Sequence, residues 1–514
     1  MKPARPVVPV RPVPRIYLYV TAAVAGAAVL VVEILGAKML APWLGTSHFV
    51  WTAQISITLL ALSAGYYLGG RIVDVSARLD HLYYCLALAG FFLCAAVVFC
   101  APIASASLAF SLAIATLLTS FVLYFLPLTL LAVTGPFLTR ILNSSTSTVG
   151  GQVGRLSAVS TIGSVFGALI ISYLLIPHFS NSITMYGTAI VLFALALSYF
   201  ALYRTKLSGA IAISIAGIFI GGFGLSEKHA FKDADELYFH NSAFGQMQVI
   251  ELKNVHRRFY LNDYLVQNTY DPVTKRSVSL FTYMLHDLAV AYRPKIDQIL
   301  CLGLGVGIVP MRFANEGMNV DVVEINPAVI PVGEKFFGLE PAKLNIILGD
   351  ARYYLNRVAK KYDAIILDTF LGDSSPSHLM THEAFNSIRR ALSPEGVLVI
   401  NSFGDFDPGR DFLVASLDKT LRSCFKNVHI HASENGNVFF VATDGSMPAL
   451  LRQPAPESYP QSVRDSALET FASNRTTDDR SGRVLTDDYN PVEYYDAQNR
   501  EENRRRLAMS ISKL

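Results

Sequence analysis

Seven long apolar runs fill the first 225 residues of this 514-residue chain. A helix needs about 20 consecutive apolar residues to cross the hydrocarbon of a bilayer. The runs lie near 16–36, 49–70, 82–101, 106–138, 156–176, 183–203 and 208–225, so residues 16–225 are expected to form an α-helical transmembrane bundle in contact with lipid. The fourth run is too long for one straight pass and should tilt or kink at Pro127 and Pro136. Hydrophobic residues make up 52% of the chain and charged residues 16%, against roughly 25% charged in soluble domains. Almost every acidic residue lies beyond the apolar half, which marks a membrane half followed by a soluble one.

Pro3, Pro6, Pro9, Pro12 and Pro14 stiffen the tail 1–15, and no small-residue cleavage site follows its first apolar run. Lys2, Arg5, Arg11 and Arg15 in this tail share one side with the basic loops Arg71–Arg78, Arg140–Arg155 and Arg204–Lys206, leaving Lys38 on the other. Basic residues stay on the cytoplasmic side, so the tail is expected inside and the protein in the inner or plasma membrane as a multi-pass chain. Seven passes put the soluble half on the opposite face, unless 208–225 stops short of crossing or 106–138 crosses twice. Gly163, Gly167 and Ala168 are small residues that would let helices approach closely. Glu33 lies deep in the first run, where an ionisable group is costly and functional by default, or else pairs with Lys38. Gly65, Gly69, Gly70, Arg71 and Asp74 read as a loop similar to that between the second and third helices of major-facilitator transporters, or as a tight basic turn.

The net charge of +3 gives no argument for nucleic acid. Cys85, Cys94, Cys100, Cys301 and Cys424 have no metal or disulfide spacing and read as small core residues. No metal is expected.

After a charged linker at 226–236, residues 237–275 alternate as a small antiparallel β module, with Asn262-Asp263 as a hairpin turn. A helix near 277–292 opens a domain over 276–450 of α/β Rossmann-like, methyltransferase type. A polar extension at 451–514 follows. In that domain the buried strand 299–302 runs directly into Gly303-Leu304-Gly305-Val306-Gly307. Glycine allows backbone angles closed to other residues, and a helix opening after such a loop offers free N–H groups to a ligand. About 20 residues on, a second strand ends in Glu324, the place where a ribose diol is held. Further strands end in Gly349-Asp350-Ala351-Arg352, Asp368 and Asn401. Each acid alone would read as a helix cap. Gathered at the carboxyl ends of successive strands, they read as a site.

These residues resemble the spermidine synthase (polyamine aminopropyltransferase) family over roughly 237–445, and the arrangement is similar to its membrane-fused branch. The matching motifs are Gly303-x-Gly305-x-Gly307, Val323-Glu324-Ile325-Asn326, Gly349-Asp350-Ala351-Arg352 and Tyr362–Asp368. The resemblance implies a transferase moving an aminopropyl group from decarboxylated S-adenosylmethionine to an amine such as putrescine, releasing methylthioadenosine. It implies that Glu324 binds the ribose, that Asp350, with Ala351 beside it, binds the adenine amine, and that Asp368 is the base. Gln267 and Tyr283 would lie on the substrate side, and a homodimer is compatible with it. The chain departs from the family at Val306, where an aspartate is usual. Tyr283 replaces a glutamate, Thr282 a histidine or glutamine, and Gly245 a glutamine, while the second aspartate of D-x-x-D-P is missing. The nucleotide-binding half is retained and the diamine-binding half largely replaced. An S-adenosylmethionine-dependent methyltransferase and a non-catalytic transporter or sensor therefore stay open as alternatives. In the tail, Asp487 and Asp488 would close the site over a cation or form a surface turn.

Overall fold

The computed structural model describes residues 12–502 apart from 143–148, 204–207, 227–233, 371–375, 447–456 and a few scattered positions. Most of the expected tail 1–15 and linker 226–236, the Arg204–Lys206 loop, and Gly372, Ser374 and Ser375 after Asp368 lie outside the described residues. The chain forms two units, Met1–His229 and Ala230–Leu514.

The first unit is helical: α1 (Arg15–Leu44), α2 (His48–Val75), α3 (Leu79–Ser107), α4 (Leu112–Ala132), α5 (Thr134–Leu142), α6 (Val149–Ile170), a π-helical turn (Ile171–Leu175) running into α7 (Ile176–His178), α8 (Asn181–Tyr203) and α9 (Ser208–Ser226). Among the described residues six segments are long and apolar enough to cross a membrane: α1, α2, α3, Leu112–Leu142, Val149–His178 and α8. A shorter apolar helix, Ser208–Gly224, follows. The fourth run is one pass, not two, because its first residues finish α3 and the turn before Leu112. It breaks at Val133, one turn before Pro136, whose missing N–H leaves a carbonyl of the preceding turn unbonded.

Small residues set the helix contacts. A Cβ on Gly163 would fall 2.1 Å from the Ala23 carbonyl oxygen, and one on Gly167 would fall 2.8 Å from that of Ala27, so α6 and α1 touch backbone to backbone. Gly65 and Gly69 do the same for α2, against Thr129 and Val133. That role corrects the loop expected at Gly65–Asp74, which is helical to Val75. The five cysteines are unpaired, and all but the half-buried Cys85 are buried.

Direction along the bundle follows from side-chain partners. Thr21 and Tyr83 bond through their hydroxyls at 2.9 Å, and the Cys100 thiol donates to the Met39 carbonyl at 3.6 Å, so α1 and α3 run the same way. Gly209, Gly217 and Gly224 lie in turn against Tyr84, Phe91 and Val98, which makes α9 parallel to α3 as well. The chain therefore enters α1 and leaves α9 at opposite faces.

The second unit opens with β1 (Ala234–Ser242), β2 (Gly245–Leu252), β3 (Arg257–Asn262), β4 (Leu265–Asp271) and β5 (Arg276–Ser277), antiparallel in chain order. The first strand begins inside the expected linker. The β3–β4 turn starts at Asp263 (φ 48°), not Asn262, because the short polar side chain tolerates a left-handed backbone. Next come α10 (Leu280–Tyr292), β6 (Gln298–Leu302), α11 (Ile308–Asn315), β7 (Asn319–Glu324), α12 (Val329–Phe337), β8 (Asn345–Leu348), α13 (Ala351–Leu355) and β9 (Tyr362–Leu367). The domain closes with α14 (His382–Ala391), β10 (Leu392–Phe403), α15 (Phe412–Cys424), β11 (Asn427–Ala432) and β12 (Asn437–Thr443), then α16 (Gln461–Ala472) and α17 (Val492–Tyr495).

The seven-stranded sheet has the order β11-β12-β10-β9-β6-β7-β8, with β12 antiparallel to β10 and β11 and the other neighbours parallel. Apolar clusters cover both faces. The expected polar extension is partly core: Tyr459, Phe471 and Leu485 are buried, and the Tyr459 hydroxyl donates to Asp287 at 2.6 Å.

Reporter fusions placed after Arg15 and after Leu514 are expected to report opposite faces of the membrane, since α9 runs parallel to α1 and α3 and would add a seventh pass to the six long segments. Reporters on the same face would mean that α9 does not cross.

Candidate functional site

From β6 the chain moves outward through β7 and β8, then crosses back to β9 on the other side of β6. Neighbouring strands diverge in connection there, and the crevice at their carboxyl ends is where open α/β sheets bind ligands. Register decides which residues meet. Leu302 pairs with both Val323 and Leu367, Leu367 with Ile400, and Glu324 with Leu348. The next residues continue the row: Gly303 N–H donates to the Val323 carbonyl at 2.9 Å, Asp368 N–H to Leu302 at 3.0 Å and Gly349 N–H to Glu324 at 2.9 Å. Gly303, Glu324, Gly349-Asp350, Asp368 and Asn401 are thereby brought to one rim.

All three loop glycines have left-handed backbones, with φ of 98°, 53° and 88° at Gly303, Gly305 and Gly307. A Cβ at Gly303 would also fall 2.3 Å from the Asp368 carbonyl oxygen, so only glycine lets the loop pass the end of β9. At Gly305 a Cβ would meet nothing within 4 Å, which leaves the backbone open to a ligand. Gly307 caps α11, whose first N–H groups face the same end of the sheet.

Glu324 is buried, and its two oxygens accept the Leu304 N–H at 2.8 Å and the Asn326 N–H at 2.7 Å. Burial pushes its carboxyl above the ordinary range, and these backbone donors pull it back. The side chain therefore ties the glycine loop to the end of β7. Asn326 extends the tie to the β module by donating to Ser242 Oγ at 3.1 Å.

Asp350 caps α13, accepting the Tyr353 N–H at 2.9 Å, while its second oxygen meets His378 Nε2 at 3.2 Å. Ala351 is the buried first residue of that helix. The neighbouring Arg352 binds Asp487 at 2.7 Å, and the Thr381 hydroxyl donates to the same carboxylate at 2.6 Å. Asp487 thus ties α13 to the start of α14, more than the surface turn its residue type suggested.

Asp368 is half-buried at the end of β9, and desolvation pushes its carboxyl up to about 6. The opposing influence is Asn401, whose amide donates to Asp368 Oδ1 at 3.0 Å. Asn437 donates in turn to Asn401 Oδ1 at 3.2 Å and fixes the amide's orientation. Sequence reasoning noted Asn401 as a strand end and missed this role. The strand-end rule that singled out the acids applies equally to an amide.

Of the two residues expected to face a substrate, Gln267 is the extra residue of a bulge in β4, since Leu261 pairs with Val266 while Tyr260 pairs with Asn268. Bulges re-aim a side chain. Tyr283 is buried, with its hydroxyl committed to the Ser277 carbonyl at 2.8 Å and the Arg312 guanidinium over its ring. Val306 is buried at 2% exposure, so the position is apolar core. Among the described residues no cluster of metal-ligating side chains occurs.

The spermine/spermidine synthase domain profile matches residues 279–433. A polyamine aminopropyltransferase of Vibrio vulnificus is 34% identical over 238 residues, covering 43% of this chain and 77% of that protein. The chain belongs to the polyamine aminopropyltransferase family. It is accordingly a transferase. An N-terminal histidine N-methyltransferase of Emericella nidulans is 30% identical over 174 residues, covering 31% of this chain and 30% of that protein. A probable spermidine synthase structure from Corynebacterium glutamicum matches 48% of this chain and 90% of its own, at 17% identity and a TM-score of 0.37. In this chain the glycine loop, with the buried Val306 in it, and the strand-end acids stand at one rim of the sheet.

Glu324→Gln would turn an amide N–H toward a backbone N–H already aimed at the carboxylate. Methylthioadenosine binding is expected to weaken by on the order of 1–3 kcal/mol. Unchanged affinity in calorimetry would take Glu324 out of the ligand site.

Proposed function

We propose that the C-terminal unit transfers an aminopropyl group from decarboxylated S-adenosylmethionine to a small amine, and that the chain is a multi-pass protein of the cell membrane. The observation that carries the reading is Asp368: a carboxyl near 6, held by Asn401 and in backbone contact with the glycine loop at the point where the sheet reverses.

Glu324 and the open Gly305 backbone would hold the nucleoside, with Asp350 at the adenine end. The acceptor must arrive with a free lone pair, and an alkylammonium has none. Asp368 accepts the proton from the acceptor nitrogen. That nitrogen forms a bond to the carbon next to the sulfonium, the carbon–sulfur bond breaks, and its electron pair stays on sulfur as a neutral thioether. A base that titrates near 6 is ionised at neutral pH yet basic enough to take the proton. Positioning of nucleophile and leaving group in line supplies the rest.

A methyltransferase reading is favoured by the burial of Val306, since no carboxylate stands there to hold the donor's aminopropyl ammonium. Product analysis separates the two: methylthioadenosine marks aminopropyl transfer and S-adenosylhomocysteine marks methyl transfer.

Asp368→Asn keeps the shape and loses the base, so turnover is expected to fall at least about 100-fold while methylthioadenosine affinity persists. In the unsubstituted protein the active form is the carboxylate. Turnover should therefore be flat above pH 7 and fall as pH drops through about 6. Near-normal turnover of Asp368→Asn, or a pH profile flat through 6, would make Asp368 structural.

A further inference from the structure

The chain beyond Asp368 is fastened by a segment that lies more than 100 residues further on. Residues 376–383 contain the short turn Ser377–Leu379 and the start of α14. Residues 485–490 hold them from one side. The His382 N–H donates to the Leu485 carbonyl at 2.8 Å, and the Asn490 amide donates to the Ser377 carbonyl at 2.9 Å. The Thr381 hydroxyl donates to Asp487 at 2.6 Å, and the Asp487 N–H donates to Glu383 at 2.9 Å.

Arg352 joins this strap to the end of β8. Its guanidinium donates to Asp487 at 2.7 Å, to the His378 carbonyl at 2.9 Å and to Thr381 Oγ1 at 3.1 Å. His378 is thereby set against Asp350. Its Nε2 lies 3.2 Å from Asp350 Oδ2, while Oδ1 accepts the Tyr353 N–H at 2.9 Å.

Little of the strap is core. Leu485 is buried, but Asp487, Asp488 and Tyr489 are exposed, and so is His378. Exposed ion pairs contribute little to stability, because water competes for the same groups. Aimed at one turn from several residues, they fix where that turn sits. A binding side chain keeps its orientation when the groups behind it are themselves held by directed hydrogen bonds.

We propose that His378 and Asp487 are positioning residues for the nucleoside: the strap holds His378 on Asp350, and His378 turns the Asp350 carboxylate toward the adenine amine. A carboxylate oxygen has two lone pairs, so Asp350 Oδ2 accepts the amine without releasing His378. The inference rests on Asp350 standing at the adenine end of the proposed nucleoside site.

Calorimetry of methylthioadenosine with the full-length chain in lipid nanodiscs tests this as a double-mutant cycle. His378→Ala and Asp487→Asn are each expected to raise the dissociation constant at least about fivefold, and Asp350→Ala at least as much. In an Asp350→Ala background neither substitution is expected to change it by more than about 1.5-fold, because residues that act through one group are not additive. Equal weakening in both backgrounds would make the two residues structural and overturn the proposal. The melting temperature reports folding, and His378→Ala, at an exposed side chain, carries the test if Asp487→Asn does not fold. If Asp350→Ala weakens binding and neither single variant does, this inference alone fails. If Asp350→Ala leaves binding unchanged, or the unsubstituted chain does not bind, the adenine assignment fails and takes this inference with it.

Discussion

The close passage of the glycine loop over the end of β9 is the constraint on which the catalytic unit depends. Gly303 has room for no side chain, because the Asp368 carbonyl occupies the place where one would begin. That contact holds the first and fourth strands of the parallel set together at the point where the winding reverses. The loop, Asp368 and the second-strand carboxylate Glu324 then follow as neighbours through ordinary ladder bonds. Loosening that contact would move the glycine loop and Asp368 relative to each other.

Two kinds of carboxylate coexist on this rim. Glu324 is buried but answered by two backbone N–H groups, so its negative charge is held in place. Asp368 is half-buried with one amide donor, and its carboxyl is raised to about 6. Burial raises both carboxyls, and the backbone donors at Glu324 oppose that rise as the Asn401 amide does at Asp368. Asp350 belongs to neither kind, since one oxygen caps a helix and the other meets His378.

The helical half, with six helices long and apolar enough to cross a membrane among its described residues, packs by a different rule. Apolar helices gain little by packing together in lipid, so close backbone contact at Gly163, Gly167, Gly65 and Gly69 brings them together. Among the described residues, close packing still leaves buried polar groups without a partner, Gln54, Thr58, Thr119, Ser120, Thr134, Tyr186 and Ser214 among them.

The apolar runs, the glycine loop and the spaced strand-end acids were legible in the sequence, because each is a local pattern with a local physical cause. Apolar length answers to bilayer thickness, a positive φ demands glycine, and a strand's last residue lies at the ligand edge wherever the strand sits in the sheet. What the tertiary structure decided was partnership. Whether Gly65–Asp74 formed a loop or a helix depended on α4 lying against it. Whether Asp487 closed a pocket or clamped Arg352 depended on where a tail more than 100 residues distant returned. Asn401 became the partner of Asp368 through the pairing of β9 with β10, and Gln54 met Gly36 through the crossing of two helices. Hydrogen bonds and steric contacts reach only a few ångströms, so residues far apart in the chain acquire these roles only when the fold brings them within that range.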